Sequence, residues 1–123
     1  MTNPVHLLEP LPGFAEQEYT LDPIDPGGLI YSLRAVQRPE LRFVLAWAPA
    51  FFPEYRPELS SALAEPLGSD EVDLFVMLTL GGGLDDATAN LRAPIAVARE
   101  TRRGIQVILE DSDLSMREPL VTH

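Results

Sequence analysis

Apolar residues recur at every second position along much of this chain, in runs so short that proline or glycine ends each one within about ten residues. Leu29, Tyr31, Leu33 and Ala35 share one face of such a run while Ser32 and Arg34 take the other, as a half-buried strand requires. Leu41, Phe43, Leu45 and Trp47 repeat the pattern and put Trp47 on the core side. The link Gln37-Arg38-Pro39-Glu40 is short and polar, and its proline cannot donate to a ladder, so the two runs predict an antiparallel hairpin. Val72 to Leu80 is nearly all apolar. Val72, Leu74, Val76, Leu78 and Leu80 fall on one face and Phe75, Met77 and Thr79 on the other, the pattern of a central strand covered on both sides.

The remaining stretches are shorter. Thr88 to Leu91 and Ile95 to Ala98 read as two strand pieces interrupted by Pro94, and Thr101-Arg102-Arg103-Gly104 reads as a turn into Ile105, Val107 and Leu109. Ser60 predicts an N-cap for one helix through Ser61-Ala62-Leu63-Ala64-Glu65, closed by Pro66 and Gly68. Leu7 to Gly28 contains Pro10, Pro12, Pro23 and Pro26, shows no sustained period, and reads as loop with short extended pieces. Pro49, Pro53 and Pro57 break regularity around Phe51-Phe52-Pro53-Glu54-Tyr55. The fold class expected is mainly β: a small antiparallel β-barrel or sandwich with one short helix, formed by a single domain over residues 1–123.

Composition narrows the chemistry. The chain has no cysteine, which removes disulfides, thiol catalysis and Cys-rich metal sites, and no lysine, which removes Schiff bases and a P-loop lysine. With 9 basic against 19 acidic residues the net charge is −10, so a phosphate backbone is disfavoured as a direct partner and a basic protein is favoured. The first six residues lack the pattern of a signal peptide, and the longest apolar run, Phe43 to Phe52, is half a membrane span and contains Pro49. A soluble, cytoplasmic protein is the expectation.

Few residues are arranged for catalysis. Gly81-Gly82-Gly83 is not followed by Gly-Lys-Ser/Thr, and His6 and His123 lie near opposite ends of the chain, where nothing would fix a general base. The sharpest cluster is Glu110-Asp111-Ser112-Asp113 at the end of an apolar strand. Counted from Asp111, the sixth position of a calcium loop would be Met116 where glycine is needed. Three readings compete for Glu110, Asp111 and Asp113: a metal site, which that mismatch disfavours, a solvated strand end with capping side chains, or a surface that attracts a basic protein. Phe51, Phe52 and Tyr55 are candidates either for an aromatic anchor or for core packing, and Asn90 for a buried structural amide. No catalytic residue, cofactor or metal ligand is assigned. The competing function class is a small-molecule or divalent-metal-binding barrel, or an enzyme using paired carboxylates such as Asp111 with Asp113 or Asp85 with Asp86.

Five segments in order resemble the FliW flagellar assembly factors: Leu11-Pro12-Gly13-Phe14, Leu29 to Leu33, Pro39 to Phe43, Phe51 to Tyr55, and Thr88 to Ile95 followed by Gln106 to Asp113. The resemblance spans roughly residues 11 to 120 and implies a non-enzymatic partner switch. The resemblance implies binding to flagellin and to the basic translational repressor CsrA, with flagellin export freeing the protein to relieve repression of flagellin synthesis. Two departures stand out. Ten residues precede Leu11, where the family usually has an additional strand or hairpin, so an open barrel edge is expected, with either association of copies through it or a terminus that covers it. The glycine loop at 81–84 replaces a connection that is usually acidic and proline-bearing.

Overall fold

In the computed structural model, residues 3–55, 57, 61–69, 71–82, 86–109 and 113–120 are described. The strands are β1 (Pro4–Leu7), β2 (Glu18–Pro23), β3 (Ile30–Ala35), β4 (Arg42–Trp47), β5 (Val72–Thr79), β6 (Thr88–Ala98), β7 (Arg103–Gln106) and β8 (Glu118–Pro119). Between β4 and β5 lie helix α1 (Ala48–Phe51), a 3₁₀ turn (Ser61–Leu63) and helix α2 (Ala64–Leu67). The strand order is β5-β4-β3-β2-β1-β7-β6-β8, and β5 also pairs with β6, so the first seven strands close into a barrel with β8 attached outside the ring. Every pairing is antiparallel except β1 with β7, which is parallel.

The period-two faces sort into two apolar layers. Leu33, Ala35, Leu45, Phe75, Ile95 and Val97 point into the barrel with Val5, Leu7, Tyr19 and Leu21, and Trp47 and Met77 pack against them half-buried. Ile30, Ala46, Val76, Ala89 and Leu91 form a second layer, which Phe51, Phe52, Tyr55 and Leu114 partly cover. The β3–β4 hairpin, the two-sided β5 and the β6–β7 hairpin thus match their patterns, with Leu33 opposite Phe43 and Ala96 opposite Ile105. At the far ends the match is looser: Leu80 is exposed, and Ser32, expected outward, is buried.

Four expectations are corrected. The barrel is not open at the N-terminal edge: Pro4–Leu7 is a strand that pairs with β2 on one side and β7 on the other, so the edge proposed for self-association is occupied. Leu7 to Gly28 also holds a regular strand, β2, because the one proline within it, Pro23, is its last residue and Tyr19 and Leu21 keep the alternation. His6 is accordingly held on β1, its ring paired with the Glu18 carboxylate. Pro94 does not interrupt β6, because the ladder with β5 shifts there: Phe75 faces Ile95 but Met77 faces Asn90, and the extra residues bulge around Pro94. Finally, there is more than one helix. Pro49 stands in the first turn of α1, where its missing N–H costs nothing, and Pro66 lies inside α2. Ser60 lies outside the described residues. Gly68 ends α2 at φ +78° and donates its amide to the Glu65 carbonyl at 3.1 Å, as a helix-terminating glycine does.

Closure rests on close packing at Gly104. A Cβ there would come within 3.2 Å of the Ala96 carbonyl oxygen, 3.2 Å of Leu7 and 3.3 Å of Val5, which joins β6, β7 and β1 at one point. Gly104→Ala is expected to destabilise the fold by about 1–3 kcal/mol, as overpacking does, read as a lower urea midpoint. An unchanged midpoint would show that the seam can widen at no cost.

Candidate functional site

Helix α1 turns the chain immediately after β4 and lays the aromatic segment over the outer apolar layer. The Phe52 amide donates to the Ala48 carbonyl at 2.8 Å, and the Tyr55 amide to the Phe52 carbonyl at 3.0 Å, so Phe51 to Tyr55 is a fixed turn. The Tyr55 hydroxyl donates to the Leu91 carbonyl at 2.6 Å. Leu91 lies at the β6 bulge, where the ladder to β5 is interrupted and a carbonyl is released for such a bond. Its amide donates instead to the Ser115 carbonyl at 2.9 Å, drawing residues 113–115 alongside β6.

The bulge therefore brings together two segments far apart in sequence. Phe51, Phe52 and Tyr55 line a groove of about 430 Å³ whose other wall is Leu91 and Leu114, with Glu54 and Glu118 at its rim. All three aromatics are half-buried, so each both packs on the core and offers a face to the groove. Asp113 is exposed and immediately precedes Leu114, while Glu110 and Asp111 lie outside the described residues. Glu54 and Glu118 were not among the candidates read from sequence. Their signal was weak: Glu54 lay inside the aromatic motif, and Glu118 became relevant only through the pairing of β8 with Ala89.

The alternative chemistries gain little from this geometry. Among the described residues no group of three or more His, Asp or Glu side chains is placed to hold a metal ion. Asp86 and Asp113 are both exposed, and their sequence neighbours Asp85 and Asp111 lie outside the described residues. Asn90 is half-buried and its side-chain oxygen accepts from the Arg92 amide at 3.0 Å, which fits the structural role expected of it. Among the described residues no helix is long and apolar enough to cross a membrane.

Comparison with known proteins converges on one group. The family model described as FliW protein matches residues 2–120. A flagellar assembly factor FliW from Geobacillus kaustophilus is 38% identical over 114 residues, covering 89% of this chain and 78% of that protein. One from Shouchella clausii is 35% identical over 116 residues, covering 91% and 80%. A crystal structure of the flagellar assembly factor FliW superposes with a TM-score of 0.87 at 32% identity, covering 98% of this chain and 87% of that one.

Within the groove, Tyr55 carries a test of the geometry. Burial pushes its hydroxyl from the ordinary 10.0 up to about 12, so the folded protein holds the proton after the unfolded chain has released it. The contribution is complete below pH 10 and is lost as pH rises through about 12. Tyr55→Phe should cost about 0.5–1.5 kcal/mol at neutral pH, because the Leu91 carbonyl loses its donor. The gap between the two proteins in thermal melts should narrow across that alkaline window, and a gap independent of pH would contradict burial of the hydroxyl.

Proposed function

The chain belongs to the FliW family of flagellar assembly factors, and from that premise we propose that it acts in the cytoplasm as a non-enzymatic switch between two protein partners, flagellin and a CsrA-type translational repressor. The observation that carries this reading is the groove in which Phe51, Phe52 and Tyr55 meet Leu114, lined also by Glu54 and Glu118, with the exposed Asp113 next to Leu114 in sequence. An apolar floor with an anionic rim suits a protein surface that presents aliphatic side chains among basic ones. Aromatic anchors in such a site carry most of the affinity, while rim carboxylates raise the association rate and set the salt dependence.

The switch follows from exclusion. While flagellin is abundant it occupies this protein, and its export leaves the protein free to engage the repressor. The same net charge of −10 that attracts a basic repressor repels an RNA phosphate backbone, so docking beside the RNA-binding surface lowers RNA affinity and relieves repression. Glu110, Asp111 and Asp113 are proposed as the charged contacts, and Phe51, Phe52 and Tyr55 as the apolar ones.

Titration calorimetry with purified flagellin and purified repressor tests the reading. Glu110→Gln, Asp111→Asn and Asp113→Asn combined should weaken repressor binding at least about tenfold near 50 mM salt and far less near 500 mM, where screening has already removed the attraction. Phe52→Ala should cost about 2 kcal/mol or more of binding at either salt concentration. Absence of binding to both proteins would overturn the proposal.

A further inference from the structure

The two backbone edges of β7 are not used to the same extent. On the β6 side the hydrogen bonds run past the end of the strand: the amides of Val107 and Leu109 donate to the carbonyls of Pro94 and Arg92 at 2.8 and 2.7 Å. On the β1 side they stop early. The His6 amide donates to the Arg102 carbonyl at 3.0 Å and the Leu8 amide to the Gly104 carbonyl at 2.8 Å, in the evenly spaced pattern of a parallel ladder. Continued by two residues, that pattern would give the Gln106 amide to the Leu8 carbonyl and the residue-10 amide to the Gln106 carbonyl. Residue 10 is proline and has no amide hydrogen. The Leu8 carbonyl accepts instead from Gln17 Nε2 at 3.2 Å. Among the described residues nothing takes the place of these partners, so the N–H and C=O groups of Gln106 and Ile108 form a short open edge.

The surface beside this edge is built unlike the rest of an acidic exterior. A groove of about 380 Å³ lies between Pro12, Ala93, Ile108 and Met116. Ile108 is 53% exposed and Met116 59%, among the most exposed large apolar side chains described. Gln106 faces the groove, donating Nε2 to the Ala93 carbonyl at 3.3 Å, while its buried Oε1 has no partner among the described residues. Asn90 and Arg92 also line it, on the side of β6 opposite Leu91 and the aromatic groove.

We propose that this edge receives an extended segment of a partner protein as an added strand. Its backbone pairs with Gln106 and Ile108, an aliphatic side chain fills the space between Pro12, Ile108 and Met116, and a donor meets Gln106 Oε1. Main-chain pairing supplies the affinity in this mode of recognition and the side-chain pocket the selectivity. The occupant is neutral or basic, because a second copy of the chain would bring another −10 against the first. The inference is independent of the aromatic groove and its partners.

The probe is a capped synthetic peptide of alternating valine and threonine with a lysine at each end, added to the full chain. Hydrogen exchange at the Gln106 and Ile108 amides should slow at least roughly tenfold at saturation. Ile108→Pro removes an amide that bonds nothing among the described residues, so it should abolish peptide binding and leave the melting curve in place. Should that variant fail to fold, a peptide N-methylated at alternate residues supplies the same test on the unaltered chain and should bind at least roughly tenfold more weakly. Unchanged exchange at the two amides, or equal binding of the N-methylated peptide, overturns the proposal. So does a dimer in sedimentation whose Gln106 and Ile108 amides are protected before any peptide is added, since that assigns the edge to a second copy.

Discussion

The parallel pairing of β1 with β7 is the constraint on which the rest of the structure depends. Without it the seven barrel strands form a curved sheet with two unpaired edges, β1 and β7, a form prone to pair with other chains. With it, Val5 and Leu7 enter the interior and cover Tyr19, Leu21 and Val97 from the open side. The pairing is short, His6 opposite Arg103 and Leu7 opposite Gly104, and a glycine at 104 leaves room for the Val5 and Leu7 side chains against β7. Arg102, at φ +60°, completes the turn that delivers Gly104 to that position.

The second organising element is the bulge in β6. A regular strand would have matched β5 residue for residue and left every carbonyl engaged in the sheet. The shift between Phe75 and Met77 frees the region around Leu91, whose carbonyl then holds Tyr55 and whose amide holds the segment before β8. One irregularity thus assembles the aromatic groove from pieces separated by more than thirty residues. It also places Asn90 and Arg92 on the opposite side, beside the open edge at Gln106 and Ile108.

How much of this could be read from the chain depended on whether the cause was local. The β3–β4 hairpin, the two-faced β5 and the final hairpin were legible because alternation and adjoining turns specify them within a few residues. β1 and β2 were not, since four to six residues among prolines carry too little period to stand out, and β1 gains its second partner from a strand far along the chain. Pro94 was misread as a break because its carbonyl, not its nitrogen, is what the ladder uses: it accepts from the Val107 amide. Of the candidate site, the aromatic residues were legible by type and Asp113 by its cluster. Their meeting across Leu91 and Leu114, and the part played by Glu54 and Glu118, depend on the bulge and on β8, which no local pattern announced.

The position of the closing strands has a consequence for how the protein comes into being. Of the seven described barrel strands, β1 is synthesised first and its partner β7 last. Local hairpins such as β3–β4 can form as soon as they emerge, but Val5 and Leu7 have no second neighbour until Gly104 has left the ribosome. A nascent chain therefore carries an unpaired sheet edge and an uncovered apolar interior for most of its own translation, the species most exposed to aggregation. Interruption of synthesis anywhere before residue 104 yields no closed barrel, because the strand that completes the ring has not yet been made.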